Sequence, residues 1–132
     1  MTREVHRRQV IRYWLSKAEE GLESAKREYE AGSFSFAVNR VYYAAFYAVS
    51  SLLLEKDYSF KKHSGVRFAF HQKFVKTGLV DIEWGKFYDR LFEDRQESDY
   101  IALTEFDKVY VEEQIKKCDE FLSIIKPLIT SR

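Results

Sequence analysis

From Val41 to Leu54 the chain reads Val-Tyr-Tyr-Ala-Ala-Phe-Tyr-Ala-Val-Ser-Ser-Leu-Leu-Leu, apolar or aromatic on nearly every side of a helix. A helix without a polar face must be covered from several directions. The rest of the chain therefore has to supply its neighbours, and the segment becomes the centre of a bundle. Directly before it stand Asn39 and Arg40. A second arginine, Arg95, extends the apolar face made by Tyr88, Leu91 and Phe92. Bundles rarely bury an arginine unless its charge is paired or used. Two such helices imply a polar crevice inside an otherwise apolar core.

The covering helices are legible in the periodicity. Ile11, Trp14, Leu15, Ala18, Leu22, Ala25 and Tyr29 recur at helical spacing, which predicts a first helix from about Arg7 to Ala31. Gly32 follows as a terminating glycine would. Ser33 or Ser35 then caps the second helix, which reaches about Lys56. Ser64 can cap a third, carrying Val66, Phe70 and Phe74, with Gly78 at its end. Asp81 can cap a fourth. Thr104 and Asp107 have capping-box spacing ahead of a fifth, and Pro127 is expected to fray or end it. His6 falls in an N-terminal segment expected to be mobile. The expectation is one all-α domain over residues 1–132, with its core at about 7–129: an antiparallel up-and-down bundle of about five helices.

With 45% hydrophobic and 33% charged residues the chain reads as folded. Its net charge of +1 gives no global attraction to DNA, RNA or a membrane surface. The lone cysteine, Cys118, excludes an internal disulfide and reads as a core residue. No histidine–carboxylate set has zinc spacing, so no metal and no cofactor is expected. No apolar run approaches the ~20 residues that span a bilayer. No signal-type stretch follows Met1, and a cytoplasmic location is expected. Aromatics reach 17%, more than one small core needs, which points to a homodimer.

Asp99 lies one helical turn beyond Arg95, with Tyr100 next to it. An ordinary Arg95–Asp99 ion pair accounts for that spacing. Alternatively, Arg95 offers a permanently charged fork to a phosphate. Asn39, Arg40, Tyr43 and Tyr47 share one side of the second helix, and Arg40 calls for a carboxylate such as Asp99 or Glu97. His63 reads as a loop or cap residue. It lies two turns from His71, too far for a close pair on one helix. Residues 61–76 carry Lys61, Lys62, Arg67, Lys73 and Lys76 without an acid, and residues 81–99 carry seven acids. Both read as solvated faces, or as a phosphate track and a surface for a basic partner.

The strings Asn39-Arg40-Val41-Tyr42-Tyr43-Ala44-Ala45-Phe46, Lys62-His63-Ser64-Gly65-Val66 and Arg95-x-x-x-Asp99-Tyr100 together resemble the HEPN superfamily, in its small single-domain branch. The resemblance runs from about Trp14 to Leu128. It implies a dimerising helical bundle with its crevice near the dimer interface. It further implies the toxin half of a toxin–antitoxin pair, a minimal nucleotidyltransferase (MNT) as partner, and metal-independent endoribonuclease activity. The family's nuclease motif is an arginine followed, after four to six residues, by a histidine. Here Arg95 matches, no histidine lies downstream, and Asp99 and Tyr100 stand in that region. Tyr100 is a loose counterpart of the tyrosine that the MNT partner adenylylates in related systems. The resemblance thus nominates Arg95, Asp99 and Tyr100 as catalytic, with Asn39, Arg40 and Tyr43 contacting a nucleotide. The missing histidine keeps a second reading open: a non-catalytic module that binds a nucleotide or a nucleotidyltransferase.

Overall fold

The structure, a computed structural model, describes residues 2–100 and 105–129, with the side chains of residues 97–100 outside the description. Among the described residues five α-helices follow one another: α1 Arg3–Glu30, α2 Phe34–Glu55, α3 His63–Phe70, α4 Ile82–Tyr100 and α5 Lys108–Ile129. The all-α architecture agrees with the periodicity, and no strand occurs among the described residues. Every other helix packs on α2. Its central residues Val41, Tyr42, Ala44, Ala45, Ala48, Val49 and Leu52 are wholly buried.

α1 begins four residues before the expected start, and His6 is helical. Thr2 Oγ1 accepts the Val5 backbone N–H at 3.1 Å, satisfying one orphan donor of the first turn. Two arginines then fasten that turn to the far end of α2. Arg7 Nη1 donates to the carbonyls of Leu54 and Glu55 at 2.7 and 3.0 Å, and Arg8 Nη2 donates to Glu55 Oε2 at 2.9 Å. At the other end Gly32, with φ of 78°, turns the chain out of α1 as expected.

α3 starts at His63 rather than after Ser64, with Lys62 as its cap residue. It continues through a π-helical turn, His71–Val75. Such turns are rare and sit disproportionately at functional positions. Gly85 of α4 faces it: a Cβ there would lie 2.9 Å from His71 Cε1 and 3.2 Å from both methyls of Val75. Pro127 does not end α5, which runs on to Ile129. A proline that near a terminus removes little of the ladder, and buried Ile129 holds the last turn in place. The expected capping box falls on Thr104, outside the described residues. Cys118 is core as expected, fully buried with Sγ 3.8 Å from the Val41 carbonyl.

Candidate functional site

Tyr42 is the residue around which the site is built. It lies in the middle of α2 and is fully buried, so its ring is a fixed platform. From α4, the Arg95 guanidinium sits over that ring, with Cζ 5.0 Å from the centroid, within range of cation–π attraction. From the start of α3, His63 Nδ1 lies 2.8 Å from the Tyr42 hydroxyl. The His63 ring also stacks on Phe46, centroids 4.3 Å apart, and meets the edge of Tyr43 at 5.7 Å. Three helices thus deliver a guanidinium, an imidazole and a phenol to one point.

Burial sets the protonation there. The Tyr42 hydroxyl is pushed up to about 12, chiefly by loss of solvent, and burial raises that of Tyr88 as well. Tyr88 Oη makes no hydrogen bond among the described residues, although Tyr42 and Tyr88 perturb one another. The His63 imidazole is pulled below its ordinary 6.5, first by burial and then by the charge of Arg95. It is therefore neutral near pH 7.

His63 corrects the sequence reading, which placed it in a loop or cap role. Its partner Tyr42 lies 21 residues back along the chain and across a loop, a distance no helical spacing bridges. The signal present was the run Lys62-His63-Ser64-Gly65 beside an aromatic helix.

Arg95 is half-buried and engages α2 through the Tyr42 ring. Asp99 and Tyr100 lie at the end of α4, and their side chains, with that of Glu97, fall outside the described residues. Of the remaining candidates, Arg40 and Tyr43 border a groove toward α1. Arg40 Nη1 donates to Asn39 Oδ1 at 2.7 Å. Arg40, Tyr43 and Tyr47 line an open groove of about 620 Å³ whose other wall is α1, with Gly21, Ser24 and Arg27. Tyr43 borders this groove and also touches the His63 ring.

The acidic and basic segments are not wholly solvated. Arg67 Nε donates to Asp89 Oδ1 at 2.8 Å, and His71 Nε2 lies 2.9 Å from the same oxygen. The Arg67 guanidinium also covers Phe92, at 4.5 Å, while Arg95 approaches that ring at 5.9 Å. Asp94 is buried and receives the Tyr110 hydroxyl from α5. Lys61 and Lys62 remain exposed beside His63. No helix is long and apolar enough to cross a membrane.

Comparison with known families settles the lineage: the HEPN domain model matches residues 11–128. The chain belongs to the HEPN domain family. Among curated relatives, a UPF0332 protein of Thermotoga maritima is 50% identical over 120 residues, covering 91% of each chain. Two Methanocaldococcus jannaschii proteins carry the names "Putative toxin MJ0142" and "Putative toxin MJ0605". The former is 37% identical, over 89% of this chain and 80% of its own length. The latter is 36% identical, over 70% and 69%.

Proposed function

We propose that this HEPN protein is the toxin component of a toxin–antitoxin pair and that it cleaves RNA without a metal ion. The observation that carries the reading is Arg95: a permanently charged fork, half-exposed and held over Tyr42 by a buried platform. A guanidinium so fixed suits a phosphodiester, whose oxygens it meets in bidentate geometry. The exposed Lys61 and Lys62, directly before His63 in the chain, add positive charge that could follow a single strand. The relatives named as toxins support the biological role.

In this reading Arg95 holds the scissile phosphate, and Asp99 orients Arg95. Asn39, Arg40 and Tyr43 contact a neighbouring nucleotide, with Tyr43 the link between groove and cluster. Tyr100 is the residue that an MNT-type nucleotidyltransferase partner would modify. The test is growth arrest on expression, together with cleavage of labelled RNA by purified protein in EDTA. Wild-type protein should be toxic and should leave 2′,3′-cyclic phosphate ends. Arg95→Ala should abolish both while melting at an unchanged temperature. Cleavage that requires magnesium or survives in R95A would sink the reading. Inactive but nucleotide-binding protein would establish the non-catalytic module instead, the alternative that the absent downstream histidine favours.

A further inference from the structure

We infer that His63, entering from α3, takes the catalytic place of the histidine that the α4 motif lacks. It acts as the general base toward a ribose 2′-hydroxyl, with Tyr42 as its positioning residue. This rests on the RNA-cleavage reading and adds to it the group that moves the proton.

The geometry selects His63 among the candidates. A metal-independent cleavage needs an acceptor for the 2′-hydroxyl proton that is neutral near pH 7 and within reach of the phosphate. Tyr42 and Tyr88 are too weakly acidic to serve as bases, with the former pushed up to about 12. His71 is held by Asp89, away from Tyr42. His63 shares the Tyr42 ring with Arg95, so a phosphate on the guanidinium places its ribose beside the imidazole. Its Nδ1 is engaged by the Tyr42 hydroxyl, and Nε2 makes no hydrogen bond among the described residues. In the tautomer with its proton on Nδ1, His63 donates to Tyr42 Oη and presents a bare Nε2 lone pair. The Phe46 stack and the Tyr43 edge fix the ring plane. Among the described side chains, the ionisable groups set against His63 from other helices are Tyr42 and Tyr43 of α2 and Arg95 of α4.

The step balances without a co-reactant other than water. The 2′-O–H bond breaks and its proton passes to Nε2. The 2′-oxygen bonds to phosphorus while Arg95 faces the charged non-bridging oxygens. The bond from phosphorus to the 5′-oxygen breaks, and that oxygen takes a proton from water. The hydroxide so formed recovers the proton from the imidazolium. The products are a 2′,3′-cyclic phosphate and a 5′-hydroxyl.

The test compares wild type, H63Q and Y42F on labelled single-stranded RNA in EDTA across pH, with folding checked by thermal melting. H63Q should lower kcat by about 10²–10⁴-fold with KM little changed, and the acid limb of the rate profile should vanish. Y42F keeps the packed ring and loses only the hydroxyl, so kcat should fall less and the acid limb should move. H63Q cleaving at the wild-type rate with its limb intact would overturn the assignment and leave the RNA-cleavage reading standing. A second readout does not need turnover: the His63 imidazole is followed by NMR while an uncleavable 2′-deoxy dinucleotide is added. Its resonances should move in wild type and stay in R95A. Movement without cleavage of RNA by wild type would overturn the base role together with that reading. Absence of both would overturn the site.

Discussion

His63 illustrates how one side chain's neighbours decide what it can do. Its folded-state pKa lies below the value of the unfolded chain because burial and the Arg95 charge both disfavour the cation. The unfolded state therefore binds the extra proton first as pH falls. The stability contributed by neutral His63 is complete above about 6.5 and is lost as pH drops from there through the folded pKa. Urea midpoints should decline over that window in wild type and decline less in H63Q. An equal decline in both would mean that another group titrates. Removing the nearby charge in R95A should raise the His63 pKa toward its ordinary value, read by NMR titration. A second residue-scale expectation concerns Arg8. Its partner Glu55 has a side chain only 2% exposed, and breaking a buried ion pair costs about 3 kcal/mol. R8A should lose about that much in denaturant unfolding. A loss below the scatter of the measurement would show the pair to be dispensable.

At the scale of elements, the turn between α3 and α4 offers a contest of known sign on each side. Gly85→Ala gains about 1 kcal/mol of helix propensity. The new methyl, however, falls 2.9 Å from His71 Cε1, an atom whose ring is pinned to Asp89, and 3.2 Å from Val75. Overpacking of that kind costs about 1–3 kcal/mol. The net expectation is destabilisation by about 1 kcal/mol, seen as a lower urea midpoint at unchanged slope. A more stable G85A would show that the π turn relaxes freely. The helices themselves were legible because their apolar residues repeat every three or four positions, from Ile11 through Ile125. The approach of Arg95 to α2 was legible too, since a charge there interrupts an apolar stripe. What spacing could not convey was contact across elements. The Tyr42–His63 bond, the shared Asp89 oxygen and the buried Asp94 beneath Tyr110 all join residues on different helices. Periodicity reports only the faces of one helix. The early start of α1 escaped for a related reason, because the acceptors that fasten Arg7 and Arg8 lie at the far end of α2.

For the whole molecule, large apolar side chains remain outside the core. Phe68, Phe36, Ile82 and Leu79 are each more than half exposed, and Phe68 and Ile82 line one cavity, an apolar surface that a second copy could cover. A homodimer is the expected form, as twice the 15.8 kDa of one chain in light scattering at micromolar concentration. A single-chain mass there would remove the support for a dimer. The order in which the bundle can be completed carries a different consequence. α1 and α2 pack as sequence neighbours, so they can pair while the chain is still being made. Tyr42 and His63 follow early, but Arg95 is added only after most of the chain has been synthesised. A nascent or interrupted chain then holds the Tyr42 platform and the His63 imidazole without the Arg95 guanidinium. If the product is toxic, a stop codon anywhere upstream of Arg95 disarms it, and most of the reading frame is open to such escape.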